Sequence, residues 1–358
     1  MRILYAIQGT GNGHLSRAME IVPFLQQRGE VDVLISGKQW ELKTPFPVKY
    51  RLHGMGFIFG KKGGVDILKT YLNLNSLKLS REIRSLPIED YDLVISDFEP
   101  VSAWACQLKN KPCIGLSNQV ATLHPLAPKP NSTDTIGKLI LRKYAPTTSN
   151  YGFHFKRFDK NVYTPIIRKQ VREMKITNDG HITVYLPSMD DTKILKHLKN
   201  FDKYTFQIFS KHIRSSYRQG NFSVFPLSND AFVKSMASSN GVLCNAGFGT
   251  TSEALFLGKK LLVIPMKTQF EQDCNAAVLE SMGVKSIKNL KVNNQEKIHA
   301  WLSAGSPIEV NYPDETEMII DTIIRNHKNQ KLQVGEGNEL KFLRRLLKSE
   351  SYFLTPVV

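Results

Sequence analysis

Gly9-Thr10-Gly11-Asn12-Gly13-His14 and Asn245-Ala246-Gly247-Phe248-Gly249-Thr250-Thr251-Ser252-Glu253 are two glycine-marked turns, each entered from an apolar run and left through a helical pattern. Ile3 to Ile7 reads as a buried parallel strand. Leu15, Ala18, Ile21, Val22 and Leu25 then recur at helical spacing, which sets His14 beside a helix N-terminus. Gly241 to Cys244 enters the second turn, and Ser252 to Leu257 reads as a helix stopped by Gly258 before another strand, Leu261 to Ile264. Each turn reads as a strand entering a helix through a backbone that must lie close to something, so two facing sites are expected, one per half.

Working outward, apolar strands at residues 2–7, 31–36, 92–96 and 112–116 alternate with helical patterns at 15–27 and 101–109, which predicts a parallel α/β sheet. Between them, Gly54 to Arg84 is basic and glycine-rich and reads as mobile loops ahead of a helix, a surface suited to acceptor recognition. Periodicity weakens from Tyr151 to Gly180. A second series follows, with strands at 181–186, 204–209, 241–244 and 261–264 and a helix at 229–238. The fold class is therefore α/β, two doubly wound Rossmann-like lobes facing across a cleft: residues 1–160, residues 161–325, and a tail at 326–358. A chain of 358 residues with 41% hydrophobic side chains has room for both cores.

The net charge of +16 suggests anionic partners such as phosphates or acidic lipid, although a basic solvated surface accounts for much of it. No aromatic-basic recognition motif accompanies the charge, so nucleic acid is not expected as a partner. Four cysteines without close pairing read as reduced thiols. With no signal-peptide pattern and no apolar stretch near membrane-spanning length, the expected location is cytoplasmic. Leu340 to Lys348 forms a basic amphipathic helix, which either packs onto the protein or lies on an anionic membrane as a peripheral contact.

Two metal or cofactor patterns fail on inspection. Gly9-x-Gly11-x-Gly13 has the wrong spacing for a dinucleotide fingerprint, and the strand ending in Ile35-Ser36-Gly37 lacks the acidic ribose ligand. Asp90-x-Asp92 precedes its strand instead of ending it, and reads as a polar turn. No cofactor and no metal are expected. What carries chemistry is the second turn: Gly247, Gly249, Thr250 and a helix N-terminus favour a phosphate. Glu253, placed in the first turn of the helix, suits ribose hydroxyls, and Glu271-Gln272 suits sugar hydroxyls.

Asn245 through Ala276 resembles the donor-binding signature of the GT-B glycosyltransferases, the group that includes UDP-glucuronosyltransferases, plant UDP-glycosyltransferases and the peptidoglycan N-acetylglucosaminyltransferase. The resemblance implies diphosphate contact by Gly247, Gly249 and Thr250, ribose contact by Glu253, and contact with the transferred sugar by Glu271 and Gln272. Asn245 stands where plant members carry histidine, and its amide would donate to phosphate. The usual tryptophan platform for uracil has no counterpart; Phe225-Pro226-Leu227 is the candidate contact instead. At the first turn, Gly9, Gly11 and Gly13 lead into His14 where the family keeps its catalytic histidine. Asp92 to Asp97 resembles the strand that ends in the aspartate orienting it.

The implied activity is inverting, metal-independent transfer of a sugar from a UDP-sugar to an acceptor hydroxyl on a glycan, lipid or small molecule. His14 would act as general base, with Asp97 fixing its tautomer. Glu99 is either a second cleft carboxylate or a solvated loop residue. Two other readings stay open: a UDP-sugar epimerase on the same fold, and a catalytically silent nucleotide-sugar-binding subunit.

Overall fold

The computed structural model describes residues 1–37, 44–55, 76–130 and 135–329. Among these are two seven-stranded sheets. The first contains β1 (Arg2–Gln8), β2 (Glu30–Ser36), β3 (Tyr50–Leu52), β4 (Leu93–Asp97), β5 (Ile114–Ser117), β6 (Ser149–Phe153) and β7 (Val162–Tyr163), in the order β3-β2-β1-β4-β5-β6-β7. All its pairings are parallel. The second contains β8 (Ile182–Tyr185), β9 (Phe206–Ser210), β10 (Tyr217–Gln219), β11 (Phe222–Pro226), β12 (Gly241–Asn245), β13 (Lys260–Ile264) and β14 (Lys285–Ser286), in the order β10-β11-β9-β8-β12-β13-β14. Only β10 and β11 pair antiparallel there.

The expected two-lobed α/β architecture is present, and its topology explains where the site forms. In the first sheet the strand order reverses between β1 and β4, whose register puts Ile7 beside Asp97. In the second it reverses between β8 and β12. Crevices open at such switch points because the flanking helices leave toward opposite faces. His14 follows β1, Asp97 ends β4, and the Gly247 turn follows β12, so both glycine turns open onto a switch point.

Helices cover both faces of the central strands, so Ile3 to Ile7 and Val242 to Cys244 are buried on every side and read as continuous apolar runs. One core packs Leu4, Leu34 and Val94 against Val101 and Cys106; the other packs Val184, Ile208, Leu243 and Leu262 against Leu195 and Trp301. A third, smaller cluster crosses between the lobes, with Phe98, Leu141 and Tyr144 of the first meeting Phe270 and Cys274 of the second.

Several elements are absent from the sequence reading. The weak stretch from Tyr151 begins inside β6, whose Asn150 and Gly152 are poor strand formers. Tertiary packing overrides that propensity: a Cβ on Gly152 would lie 2.6 Å from the Ala121 Cβ, so only glycine lets β6 close against the Asn118–Thr122 helix. The hairpin of β10 and β11 and the short edge strands β3, β7 and β14 were likewise too brief to show a period. Within Gly54 to Arg84, residues 56–75 lie outside the described residues and Ser76–Ser85 is a helix.

Residues 1–314 form one compact unit and 315–358 a second, of which residues 316–329 are helical. The amphipathic helix expected at Leu340 to Lys348 lies outside the described residues. No described helix is long and apolar enough to cross a membrane.

Leu243, fully buried in a central strand, tests the second core. Leu243→Ala should lower stability by about 2–5 kcal/mol, read as a lower urea midpoint with an unchanged m-value.

Candidate active site

The Gly13–Gln26 helix starts directly after the first glycine turn, and three-residue spacing sets His14 and Arg17 on one face of it. Both reach Asp97 at the end of β4. His14 Nδ1 lies 2.8 Å from Asp97 Oδ1, Arg17 Nη2 donates to the same oxygen at 2.5 Å, and Arg17 Nε donates to Oδ2 at 3.0 Å. Tyr5 also donates its hydroxyl to Oδ2, at 3.4 Å. Asp97 is wholly buried, which works to raise its pKa, but Arg17 and then His14 outweigh burial and hold it below the ordinary carboxylate range. Burial likewise works against the Arg17 charge, and Asp97 more than restores it.

A guanidinium has no lone pair, so Arg17 Nη2, 3.0 Å from His14 Nδ1, shares Asp97 Oδ1 with that nitrogen. With Nδ1 donating to Asp97, the His14 lone pair sits on Nε2. Phe98, the next residue, turns the chain sharply with φ +55°, and its ring stacks on Tyr144 at 4.8 Å. The left-handed backbone of a bulky residue is strained, and it persists here because Phe98 is locked into the interlobe cluster.

Two amides carry the network across the cleft. Asn118 and Gln119 open the short helix after β5, each 3% exposed. Asn118 accepts from Arg17 Nη1 at 3.2 Å and donates to Glu271 Oε1 at 2.8 Å. Gln119 Nε2 donates to Glu271 Oε2 at 3.0 Å and lies 3.4 Å from His14 Nε2. Its own Oε1 is buried and has no hydrogen-bond donor. One carboxamide thus touches both the first-lobe histidine and a second-lobe carboxylate.

The Phe248–Phe256 helix starts at Gly247, which supplies no side-chain cap, and its first N–H groups are free of any capping side chain. A Cβ built on Gly247 or Gly249 meets nothing within 4 Å, and the same holds at Gly13; none of the three has a left-handed backbone. Neither conformation nor packing requires glycine there, and the turns face open space. Gly11 differs, with φ +91°. Thr250, the third residue of the Phe248–Phe256 helix, is half-buried.

Because the helix starts at Phe248 and not near Ser252, Glu253 stands in its second turn, a correction to the first-turn expectation. The glycines had read as loop, yet Thr251 and Ser252 bond back to the carbonyls of Gly247 and Phe248 at 2.7 Å, as helical residues do. The Glu253 carboxylate is paired with Arg168, Nε to Oε1 at 2.6 Å and Nη2 to Oε2 at 2.7 Å.

Asn245 donates to the Ile264 carbonyl at 2.8 Å, and its Oδ1 is buried without a donor. Gln272 accepts from Met266 N at 2.9 Å, which shapes the turn after β13. Phe225, next to last in β11, stacks on Phe209 at 5.6 Å; Leu227 N is bonded to the Ser210 carbonyl at 3.0 Å. Gly9 N donates to the Ser36 carbonyl at 2.7 Å, tying the first turn to β2.

Glu99 is not solvated. It is fully buried and caps the Pro100–Leu108 helix, accepting from Val101 N and Ser102 N at 2.7 and 2.6 Å. Burial raises its pKa against those bonds. A carboxylate immediately ahead of an apolar helix is a capping signature that the sequence reading passed over. Arg17 was legible as the i+3 neighbour of His14, and Asn118-Gln119 as residues at a strand C-terminus. Arg168, 85 positions from Glu253 in the chain, had no local signal.

Residues 1–304 match the family described as Glycosyl transferase family 1. No curated protein sequence matches. Among solved structures, MurG of Acinetobacter baumannii is 15% identical with TM-score 0.55, covering 90% of this chain and 99% of its own. Glycyrrhiza uralensis UGT73P12, complexed with glycyrrhetinic acid 3-O-monoglucuronide, is 12% identical with TM-score 0.56, covering 97% and 99%. Arabidopsis thaliana UGT89C1, complexed with UDP-L-rhamnose, is 12% identical with TM-score 0.53, covering 97% and 98%. At these identities the likeness is one of fold.

Asp97→Asn leaves the buried Arg17 charge without its anion and should destabilise the protein by about 3–5 kcal/mol. Replacing both, as Arg17→Met with Asp97→Leu, should cost less than that single change. Since the Asp97 pKa is depressed, its contribution is full at neutral pH and lost as pH falls through and below about 4. Urea unfolding at pH 7 and at acid pH, on parent and Asp97→Asn, should show the acid limb flattened in the variant.

Proposed function

Because this chain belongs to glycosyl transferase family 1, we propose that it transfers a sugar from a UDP-sugar to an acceptor hydroxyl, with inversion and without a metal. Residues 1–160 form the acceptor-side lobe and residues 161–325 the donor-side lobe. The observation that carries this reading is the Gln119 amide, within 3.4 Å of His14 Nε2 and 3.0 Å of Glu271. Candidate base and candidate sugar ligand, from different lobes, thereby converge on one point, as transfer requires.

In this reading, the acceptor hydroxyl takes the position of the Gln119 N–H at His14 Nε2. The acceptor oxygen bonds to the anomeric carbon, Nε2 takes its proton, and the bond from that carbon to the diphosphate oxygen breaks. Asp97, held by Arg17, stabilises the imidazolium. The charge that collects on the departing UDP meets the N–H groups that follow Gly247, where the open space beside Gly247 and Gly249 admits a diphosphate and Thr250 adds a hydroxyl. Glu253 accepts from the ribose, Glu271 and Gln272 from the sugar, and Phe225 and Leu227 approach the base. UGT89C1 in complex with UDP-L-rhamnose supports a UDP-sugar as donor.

The test is turnover with a panel of UDP-sugars and hydroxyl acceptors in EDTA, followed as UDP release. Strict dependence on added metal would sink the mechanism, and a donor epimer formed without acceptor would select the epimerase reading. Under the same conditions His14→Ala should lose about 10²- to 10⁴-fold in rate while binding UDP as the parent does. Glu253→Ala should instead weaken UDP binding about ten- to a hundredfold by calorimetry, the loss of a hydrogen bond to a charged acceptor.

A further inference from the structure

Six side chains drawn from both lobes close a ring of polar contacts. His14 Nδ1 lies 2.8 Å from Asp97 Oδ1, Arg17 donates to the same oxygen at 2.5 Å, and Arg17 Nη1 donates to Asn118 at 3.2 Å. Asn118 donates to Glu271 Oε1 at 2.8 Å and Gln119 Nε2 to Glu271 Oε2 at 3.0 Å. The second N–H of the same Gln119 amide returns to His14 Nε2, at 3.4 Å.

The ring leaves that amide one orientation. Inverting it would set Oε1 against the Glu271 carboxylate, acceptor against acceptor, so the nitrogen takes both contacts and the carbonyl stays buried without a donor. With Nδ1 donating to Asp97, the imidazole keeps a single lone pair, in its own plane on Nε2, and the Gln119 N–H occupies it. A hydroxyl that donates to Nε2 needs its oxygen about 2.8 Å away, in the place where the amide nitrogen stands. Clearing that place also draws the amide away from Glu271, and a hydrogen bond to a carboxylate is among the stronger ones. An acceptor molecule makes contacts along its whole length, and that binding energy offsets the lost amide bond. Water brings no such contacts.

We propose that Gln119 is a specificity-determining positioning residue, which caps the base and admits an acceptor hydroxyl in preference to water. This inference rests on the reading of His14 as base in a UDP-sugar transferase. The reaction held down is hydrolysis of the donor. In it a water oxygen bonds to the anomeric carbon, His14 Nε2 takes one of its protons, the bond from that carbon to the diphosphate oxygen breaks, and free sugar and UDP leave.

Two measurements on the full chain test the cap. In donor-free protein, diethylpyrocarbonate labels an accessible imidazole nitrogen, and peptide mass mapping picks His14 out of the nine histidines. Gln119→Ala should label at His14 about two- to tenfold faster than the parent, the effect of one lost hydrogen bond. With a UDP-sugar that turns over, UDP release in the absence of acceptor should rise about two- to tenfold in Gln119→Ala, with UDP affinity unchanged. That gain should vanish when His14→Ala is added. Gln119→Asn keeps an amide one methylene too short to span Glu271 and Nε2; it should act in the same direction and serves if the alanine variant does not fold. Labelling at the parental rate in the folded variant overturns the cap. Faster labelling with unchanged hydrolysis, or a hydrolytic gain that survives His14→Ala, overturns the discrimination against water. A parent that releases UDP from no UDP-sugar, with or without acceptor, overturns the transferase reading instead, and the labelling rates still decide the cap.

Discussion

Complete burial of the Asp97 carboxylate in its charged form is the constraint on which the first half of the site depends. Such a group is stable only with its charge matched and its lone pairs filled; Arg17, on the helix after β1, matches the charge and with His14 and Tyr5 fills the lone pairs. The consequence reaches beyond one ion pair. Arg17 also contacts Asn118, Asn118 contacts Glu271, and the first lobe's buried charge is thereby connected to the second lobe's helix. The interlobe cluster holds Phe98 and Phe270, the chain neighbours of Asp97 and Glu271, so apolar contacts join the lobes at both ends of this polar path. Low local polarity strengthens each bond in the path and makes any unfilled one expensive.

Against that background the orphaned oxygen of Gln119 has a physical meaning. The amide is drawn toward Glu271 and His14 through its nitrogen, and its carbonyl is left without a donor inside the protein. A buried acceptor in that condition raises the energy of the arrangement by about 1–3 kcal/mol.

The second lobe solves a different problem. Its Phe248–Phe256 helix has Gly247 in the capping position without a side-chain cap, and Gly249 adds no side chain, so the helix start is left open. By contrast, the helix after β4 is closed by Glu99, which fills the N–H groups that a ligand would otherwise use. Two helices of similar length at equivalent positions after a strand are thus capped or left uncapped by one residue each.

The sequence by itself determined the alternation of strands and helices around β1, β4, β12 and β13, because strands buried on both faces carry unbroken apolar runs that need no tertiary information to recognise. It also determined that His14 and the Gly247 turn follow central strands, since glycine turns at strand ends are local features. The last two strands of the first sheet, β6 and β7, stayed hidden because their stability comes from neighbours: Gly152 is chosen by the approach of Ala121, not by any preference of its own. The helix boundary at Phe248 was missed for a similar reason, as glycines that leave room for a ligand look like loop residues. Tertiary structure alone decided the partners of the charged groups. Glu253 meets Arg168, Glu271 meets Asn118 and Gln119, and Glu99 caps its own helix, because a buried charge is satisfied by whatever the fold brings within about 3 Å, and that distance is unrelated to separation along the chain.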